Sequence, residues 1–206
     1  MRISNRGKVL LVGACLLAGS VVWAQQSQKP VKQVSTDLAF TFAFERAQIV
    51  PNVCCFWLKG AGADASFNLW KGLGAAVALN SGTAVNVEPG VDMNKISFLA
   101  GPRYTRTAWQ GHATAADNRR LQVFGQGLFG RTHGFNGYYP AMPAATSSAK
   151  SLALQGGGGL NFYLTRNFGL RLLEADYVRT VLPNTAANIQ SDMRLSVGLT
   201  YHIGKR

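Results

Sequence analysis

The sequence predicts an all-β chain: an eight-stranded antiparallel up-and-down transmembrane β-barrel behind a cleaved signal peptide. Three observations lead there. The last stretch, Asp192 to Ile203, reads DMRLSVGLTYHI and sets Met193, Leu195, Val197, Leu199, Tyr201 and Ile203 on every second position. A period of two means a strand with one apolar face, and a tilted membrane-crossing strand needs ~9–11 residues. The charged fraction is 15%, low beside the roughly 25% usual in soluble domains. No window after residue 24 is apolar enough for a membrane helix, yet short apolar/polar alternations recur along a chain holding 23 glycines. Those features fit a barrel in lipid; a soluble β-sandwich is the competing architecture.

The chain starts with a basic segment, Arg2, Arg6 and Lys8, and then an uncharged run from Val9 to Trp23. Val22-Trp23-Ala24 offers small residues at the two cleavage-determining positions, so residues 1–24 read as a signal peptide and the chain as exported. The alternative is a lipoprotein signal ending at Cys15, which would leave a very short apolar core. Of the 21 Lys and Arg, 18 remain after cleavage against 9 Asp and Glu, a net charge of +9. No basic run is interleaved with stacking aromatics, so nucleic acid is not an expected partner. Cations scattered at strand ends suit the phosphates of outer-membrane lipids and lipopolysaccharide, or an ordinary solvated surface.

Residues 25–35 form a polar leader, and the barrel is expected over residues 36–206. Thr36 to Arg46 sets Leu38, Phe40, Phe42 and Phe44 opposite Asp37, Ala39, Thr41, Ala43 and Glu45. Gly62 to Trp70 alternates likewise, and Lys71-Gly72 is a tight turn signal into Leu73 to Asn80. Ile96 to Tyr104 is the fourth strand, with Pro102 expected near an end or a bulge. Leu121 to Gly130, Leu152 to Leu164 and Phe168 to Arg179 come next. In the last of these Glu174 and Asp176 face inward while Leu173, Ala175 and Tyr177 face out. Asp192 to Ile203 is the eighth strand.

The connections alternate. Ala47–Ala61, Ser81–Asn94, Thr132–Ser151 and Val181–Ser191 read as long loops; Lys71–Gly72, Thr107–Arg119 and Thr165–Asn167 are mostly shorter. An N-terminus in the periplasm puts all the long ones outside the cell. An even strand number leaves no unpaired edge in lipid.

Ser196-x-Gly198-x-x-Tyr201-x-Ile203 resembles the C-terminal assembly signal of bacterial outer-membrane barrels, departing from it in the Gly204-Lys205-Arg206 tail. Ala100-Gly101-Pro102-Arg103-Tyr104, Gln126 to Gly134, Gly156 to Leu160 and Leu170 to Tyr177 add to the likeness. From Thr36 onward the chain resembles a small bacterial outer-membrane β-barrel domain protein, similar to outer-membrane protein A. The resemblance implies an outer-membrane location and recognition by the barrel-assembly machinery; it is nearly silent on activity.

The sequence offers several candidate sites. Gly125-Gln126-Gly127-Leu128-Phe129-Gly130 matches a dinucleotide fingerprint, but that motif needs a helix beginning within it, and the chain reads on into loop residues from Thr132 to Gly137. Those glycines, and Gly156 to Gly159, suit close packing in a barrel wall, and no cofactor is expected. Adjacent Cys54 and Cys55 can pair only as a strained vicinal disulfide; free thiols or intermolecular bonds are the alternatives. Two cysteines are too few for a metal site. Glu45, Asp64, Arg103, Glu174, Asp176 and Arg194 fall on inward faces as a lumen charge cluster, either a plug of mutual pairs or the lining of an ion path. His112, His133 and His202 are expected in a turn, a loop and a strand end. Ser196 and His202 are six residues apart on one strand, roughly 20 Å at about 3.3 Å per residue, too far to act together. The function expected is an integral outer-membrane barrel with a structural or surface-interaction role, no catalysis and at most a narrow pore. A small-solute, porin-like channel is the alternative. A lipid-modifying enzyme and a soluble periplasmic lipid carrier are more distant ones.

Overall fold

In the computed structural model, eight antiparallel strands close on themselves: β1 (Ser35–Ala47), β2 (Phe56–Trp70), β3 (Leu73–Glu88), β4 (Val91–Gln110), β5 (Arg120–Tyr139), β6 (Thr146–Tyr163), β7 (Phe168–Thr180) and β8 (Gln190–Ile203). The structure describes residues 35–47, 55–88, 91–111, 119–140, 145–183 and 188–204. The signal peptide, nearly all of the leader, Cys54 and His112 lie outside the described residues.

Each strand pairs with its sequence neighbour, and β8 closes against β1 through pairs such as Phe40↔Leu199 and Phe42↔Val197. Alternation does the sorting. In β8 the even-numbered residues from Gln190 to Ser196, with Thr200 and His202, are buried, while every odd-numbered one is exposed. Phe40 is 64% exposed and Leu199 61%. A side chain so exposed is costly in water at this frequency and costs nothing against acyl chains. The polar residues are inside. That inversion makes the chain a transmembrane barrel.

Three expectations need correction. First, two of the four long loops are largely strand and a third, Ala47–Ala61, is so in part. β3 runs on to Glu88 and β4 starts at Val91, so only residues 89 and 90 connect them. β5 and β6 continue to Tyr139 and from Thr146, so Thr132–Ser151 is mostly hairpin, and β2 begins at Phe56. In these extensions the buried positions are mostly small or polar, such as Gly82, Ala84, Thr132 and Gly134, so they carry little apolar alternation to read. Asn86 and Asn136 take positive φ (53° each) beside register shifts near the two hairpin tips, a conformation asparagine tolerates well.

Second, His133 and the segment after the glycine motif are in β5, not in a loop; Gly125 to Gly130 is strand throughout. Third, Pro102 sits mid-strand with no register shift: the ladder to β5 passes from Ala100↔Phe129 to Arg103↔Gln126, skipping the residue that has no N–H.

The stated orientation of Glu174 and Asp176 holds in β7, but the strand also carries a bulge. Leu160 pairs with Leu173 but Asn161 pairs with Arg171, leaving Leu172 extra. Leu172 and Leu173 are both exposed, and the inward phase switches from Gly169 and Arg171 to Glu174 and Asp176. A bulge inserts one residue and re-aims the side chains beyond it. Strict alternation through Leu173 would turn Arg171 outward; the bulge brings it in.

Candidate functional site

The lumen is where the described residues concentrate charge. The structure puts all six residues singled out from the sequence there: Glu45, Arg103, Glu174, Asp176 and Arg194 are each at most 5% exposed, and the Asp64 side chain is 7% exposed. An eight-stranded barrel is just wide enough for side chains to fill, and these fill it in three tiers.

The middle tier is built on the bulge. Arg171 Nη1 donates to Asp64 Oδ2 (2.5 Å) across the lumen and to Glu174 Oε2 (2.8 Å) on its own strand. Its Nε donates to Asn161 Oδ1 at 3.1 Å. Arg103 Nη1 donates to Asp64 Oδ1 (2.6 Å), and its Nε to Gln126 Oε1 (3.0 Å). Gln126 Nε2 then donates to Glu174 Oε1 (2.8 Å) and Asp176 Oδ1 (3.2 Å). The two guanidinium groups flank the Phe124 ring, 4.6 and 4.7 Å from its centroid, a cation–π arrangement strengthened by exclusion from water. Gly159 makes room for that ring: a Cβ there would come within 2.8 Å of it. Of the glycine run it is Gly159 that leaves space for the aromatic ring, while Gly157 and Gly158 lie close against neighbouring backbone.

One tier toward the hairpin end, Lys95 bonds Glu45 in a short contact and Asp192 Oδ2 at 3.3 Å. Arg194 Nη1 lies 4.0 Å from Glu45 Oε2. Gly62 leaves the space that Arg194 occupies, since a Cβ there would lie 2.9 Å from Nη2 and 2.7 Å from Thr41 Oγ1. Above this tier Ala47, Leu58 and Ala84 form an apolar cluster backed by Phe56 and Val87.

The third tier lies at the end carrying the chain termini. Asp37 Oδ1 accepts from the Tyr163 hydroxyl (2.9 Å) and meets His202 Nδ1 at 2.6 Å. Asn68 Nδ2 donates to Asp37 Oδ2 at 3.1 Å. The Arg120 guanidinium stacks over the Tyr163 ring, 4.1 Å from its centroid. Between tiers, Asn80 Nδ2 donates to Gln155 Oε1 (3.0 Å) across the lumen.

Sequence reasoning missed Arg171, Lys95, Asp192, Asp37 and His202 as members of this network. Asp37 and His202 were legible, since alternation puts both opposite the apolar face. Lys95 was cut off by starting the fourth strand at Ile96 rather than Val91. Arg171 needed the bulge, whose signal is the adjacent pair Leu172-Leu173 breaking the alternation.

Ser196 is buried and its Oγ donates to Glu174 Oε2 (3.1 Å), while His202 bonds Asp37 instead. Gly198 lies close against the Phe40 carbonyl of β1. Tyr201 and Ile203 face outward, and Tyr201 packs on Phe168 with ring centroids 4.8 Å apart. Cys55 is partly buried just before β2; Cys54, and with it the possible vicinal disulfide, lies outside the described residues.

No protein-family model and no curated protein sequence matches the chain. Solved structures do. Neisserial surface protein A superposes with a TM-score of 0.51 at 15% identity, covering 82% of this chain and 96% of that one. The fold is that of a small outer-membrane β-barrel. Two further structures are similar to this outer-membrane barrel at lower scores. The attachment invasion locus protein Ail of Yersinia pestis, in complex with the heparin analogue sucrose octasulfate, gives 0.48 at 15% identity over 83% of this chain and 98% of that one. The N-terminal barrel domain of Pseudomonas aeruginosa OprF gives 0.41 at 16% identity over 81% and 97%.

Proposed function

We propose that this chain is an integral outer-membrane barrel with a structural or surface-interaction role, without catalysis and with at most a narrow conductance. The observation that supports this reading is the tiered lumen: Lys95, Arg171 and Tyr163 each reach across to acids on facing strands. Paired charges of both signs, with two guanidinium groups packed on Phe124, leave little room for hydrated ions. The test is single-channel conductance in planar bilayers, on protein whose folding is established by heat-modifiable gel mobility. The folded protein is expected to be silent, and Glu174→Gln equally so. Discrete steps altered by Glu174→Gln would transfer the assignment to a small-solute channel.

The channel reading has one observation in its favour. Asp176 Oδ2 and Arg194 Nη2 are buried without a hydrogen-bond partner, and such atoms usually hold water. Two or more waters in file would be a narrow path.

Ser196, Gly198, Tyr201 and Ile203 are proposed to serve as the assembly signal read by the barrel-assembly machinery. The two outward residues carry the test, because neither contributes to the lumen. Tyr201→Ser with Ile203→Ser is expected to leave purified protein refolding into lipid while unassembled precursor accumulates in cells. Normal assembly in cells would remove the role.

A further inference from the structure

The barrel wall is uneven in height. The top of β7 pairs with β6 at Ala153↔Thr180, and β8 starts level with it at Gln190↔Thr180. β6 continues beyond, from Leu152 up to Thr146, and among the described residues no strand pairs with this segment on the side away from β5. Local side-chain contacts touch it: Val181 N–H donates to Ser151 Oγ at 3.3 Å, Thr146 Oγ1 to the Ser148 carbonyl at 2.9 Å and Ser151 Oγ to the Leu152 carbonyl at 3.1 Å. Five of the seven residues from Thr146 to Leu152 are exposed and none is buried. The edge is not frayed backbone. β5 holds it through His133↔Lys150 and Phe135↔Ser148, and β4 holds β5 up to Asn94↔Phe135.

A row of unpaired N–H and C=O groups on a supported sheet is a template for another strand. Proteins blunt such edges with a bulge, a proline, a charge or a cover; among the described residues Lys150 supplies a charge, and the β5–β6 ladder shifts register between Phe135↔Ser148 and Tyr139↔Thr146, so the regular part of the edge runs from Ser148 to Leu152. The surrounding charge has one sign. Arg131 and Lys150 are exposed on one face of the β5–β6 hairpin, with His133 between them in the register. Arg179 of β7 stands beside Leu154 at the foot of the edge. From Arg131 to Leu152 the chain contains no Asp or Glu. The opposite face offers small residues, Ala149 and Ser151.

We propose that the Thr146–Leu152 edge takes up an extended acidic segment of a partner protein by strand addition. Main-chain bonds supply the attachment and side chains the choice. Acidic side chains at every second position of the segment meet Lys150, Arg131 and Arg179, and small ones between them meet Ala149 and Ser151. This deepens the surface-interaction reading and rests on it.

The experiment uses the full chain folded in lipid nanodiscs and a labelled ten-residue peptide alternating glutamate and threonine. A lysine/threonine peptide is the charge control. Two further peptides carry N-methyl groups on one or the other set of alternate amides, because an added strand uses only every second amide. Expected are binding of the acidic peptide but not the basic one, loss on methylating one set alone, and about tenfold weakening by Lys150→Glu. Arg179→Glu, also on the surface, should weaken it in the same direction. Equal tolerance of both methylated sets would overturn strand addition and leave a charged surface suited to lipid phosphate. Self-association of the barrel through this edge, with no peptide bound, would overturn the proposal in favour of a second copy as occupant. Absence of binding to protein that is folded and silent in bilayers would sink the proposal while sparing the barrel assignment.

Discussion

Arg171→Met is expected to cost the folded barrel about 3–5 kcal/mol, the range for removing one partner of a buried pair. The guanidinium serves Asp64, Glu174 and Asn161 together and packs on Phe124. Among the described residues its loss leaves Asp64 with Arg103 as its cation, and Glu174 with Gln126 and Ser196 as donors but no cation. Uncompensated charge in a water-poor lumen is the costly part, since the pair itself contributes far less than its breaking costs. Urea titration in lipid vesicles would measure this. The double variant Arg171→Met/Glu174→Gln is expected to recover part of the loss, giving a coupling well outside additivity. Strict additivity would mean that the side chains do not meet.

Leu199→Arg comes next. Leu199 lies between Phe40 and Leu170 on the outward face, and an arginine facing mid-bilayer lipid costs about 2–4 kcal/mol. Val85 is more exposed still, at 70%, but belongs to the β3 extension beyond the belt. Val85→Arg is therefore expected to be nearly neutral in the same titration. Equal effects at the two positions would remove the distinction between a lipid-facing belt and a water-facing hairpin on which the fold is read.

The legible part of the fold is the part where period two has a cause. Where one face meets lipid and the other the lumen, as in β8 and β1, the sequence displays the strand and its inward residues directly. All six lumen charges were found that way. Above the belt the buried positions are mostly small or polar, as at Thr132 and Gly134, and the stretch from Thr132 to Ser151 gave no such contrast; its strand character rests on pairing with neighbours. Arg171 shows a different limit. Its side is decided by one extra residue in β7, and every assignment before a bulge inverts when the bulge is overlooked. The three-tier pairing was beyond reach because a single strand carries no information about which residue faces it across a closed barrel.

The central claim is an inside-out barrel, lipid outside and a filled lumen within, and a site-by-site accessibility scan of β8 tests it most directly. Single cysteines would replace residues 193 to 202 in a background with Cys54 and Cys55 changed to serine, each labelled with a fluorophore in vesicle-inserted protein. The expected result is that probes at Met193, Leu195, Val197, Leu199 and Tyr201 are quenched by a lipid-borne quencher. Those at the even positions between them should be shielded from lipid and aqueous quenchers alike. Aqueous quenching at the odd positions would contradict a barrel in lipid; aqueous quenching at the even ones would contradict a filled lumen.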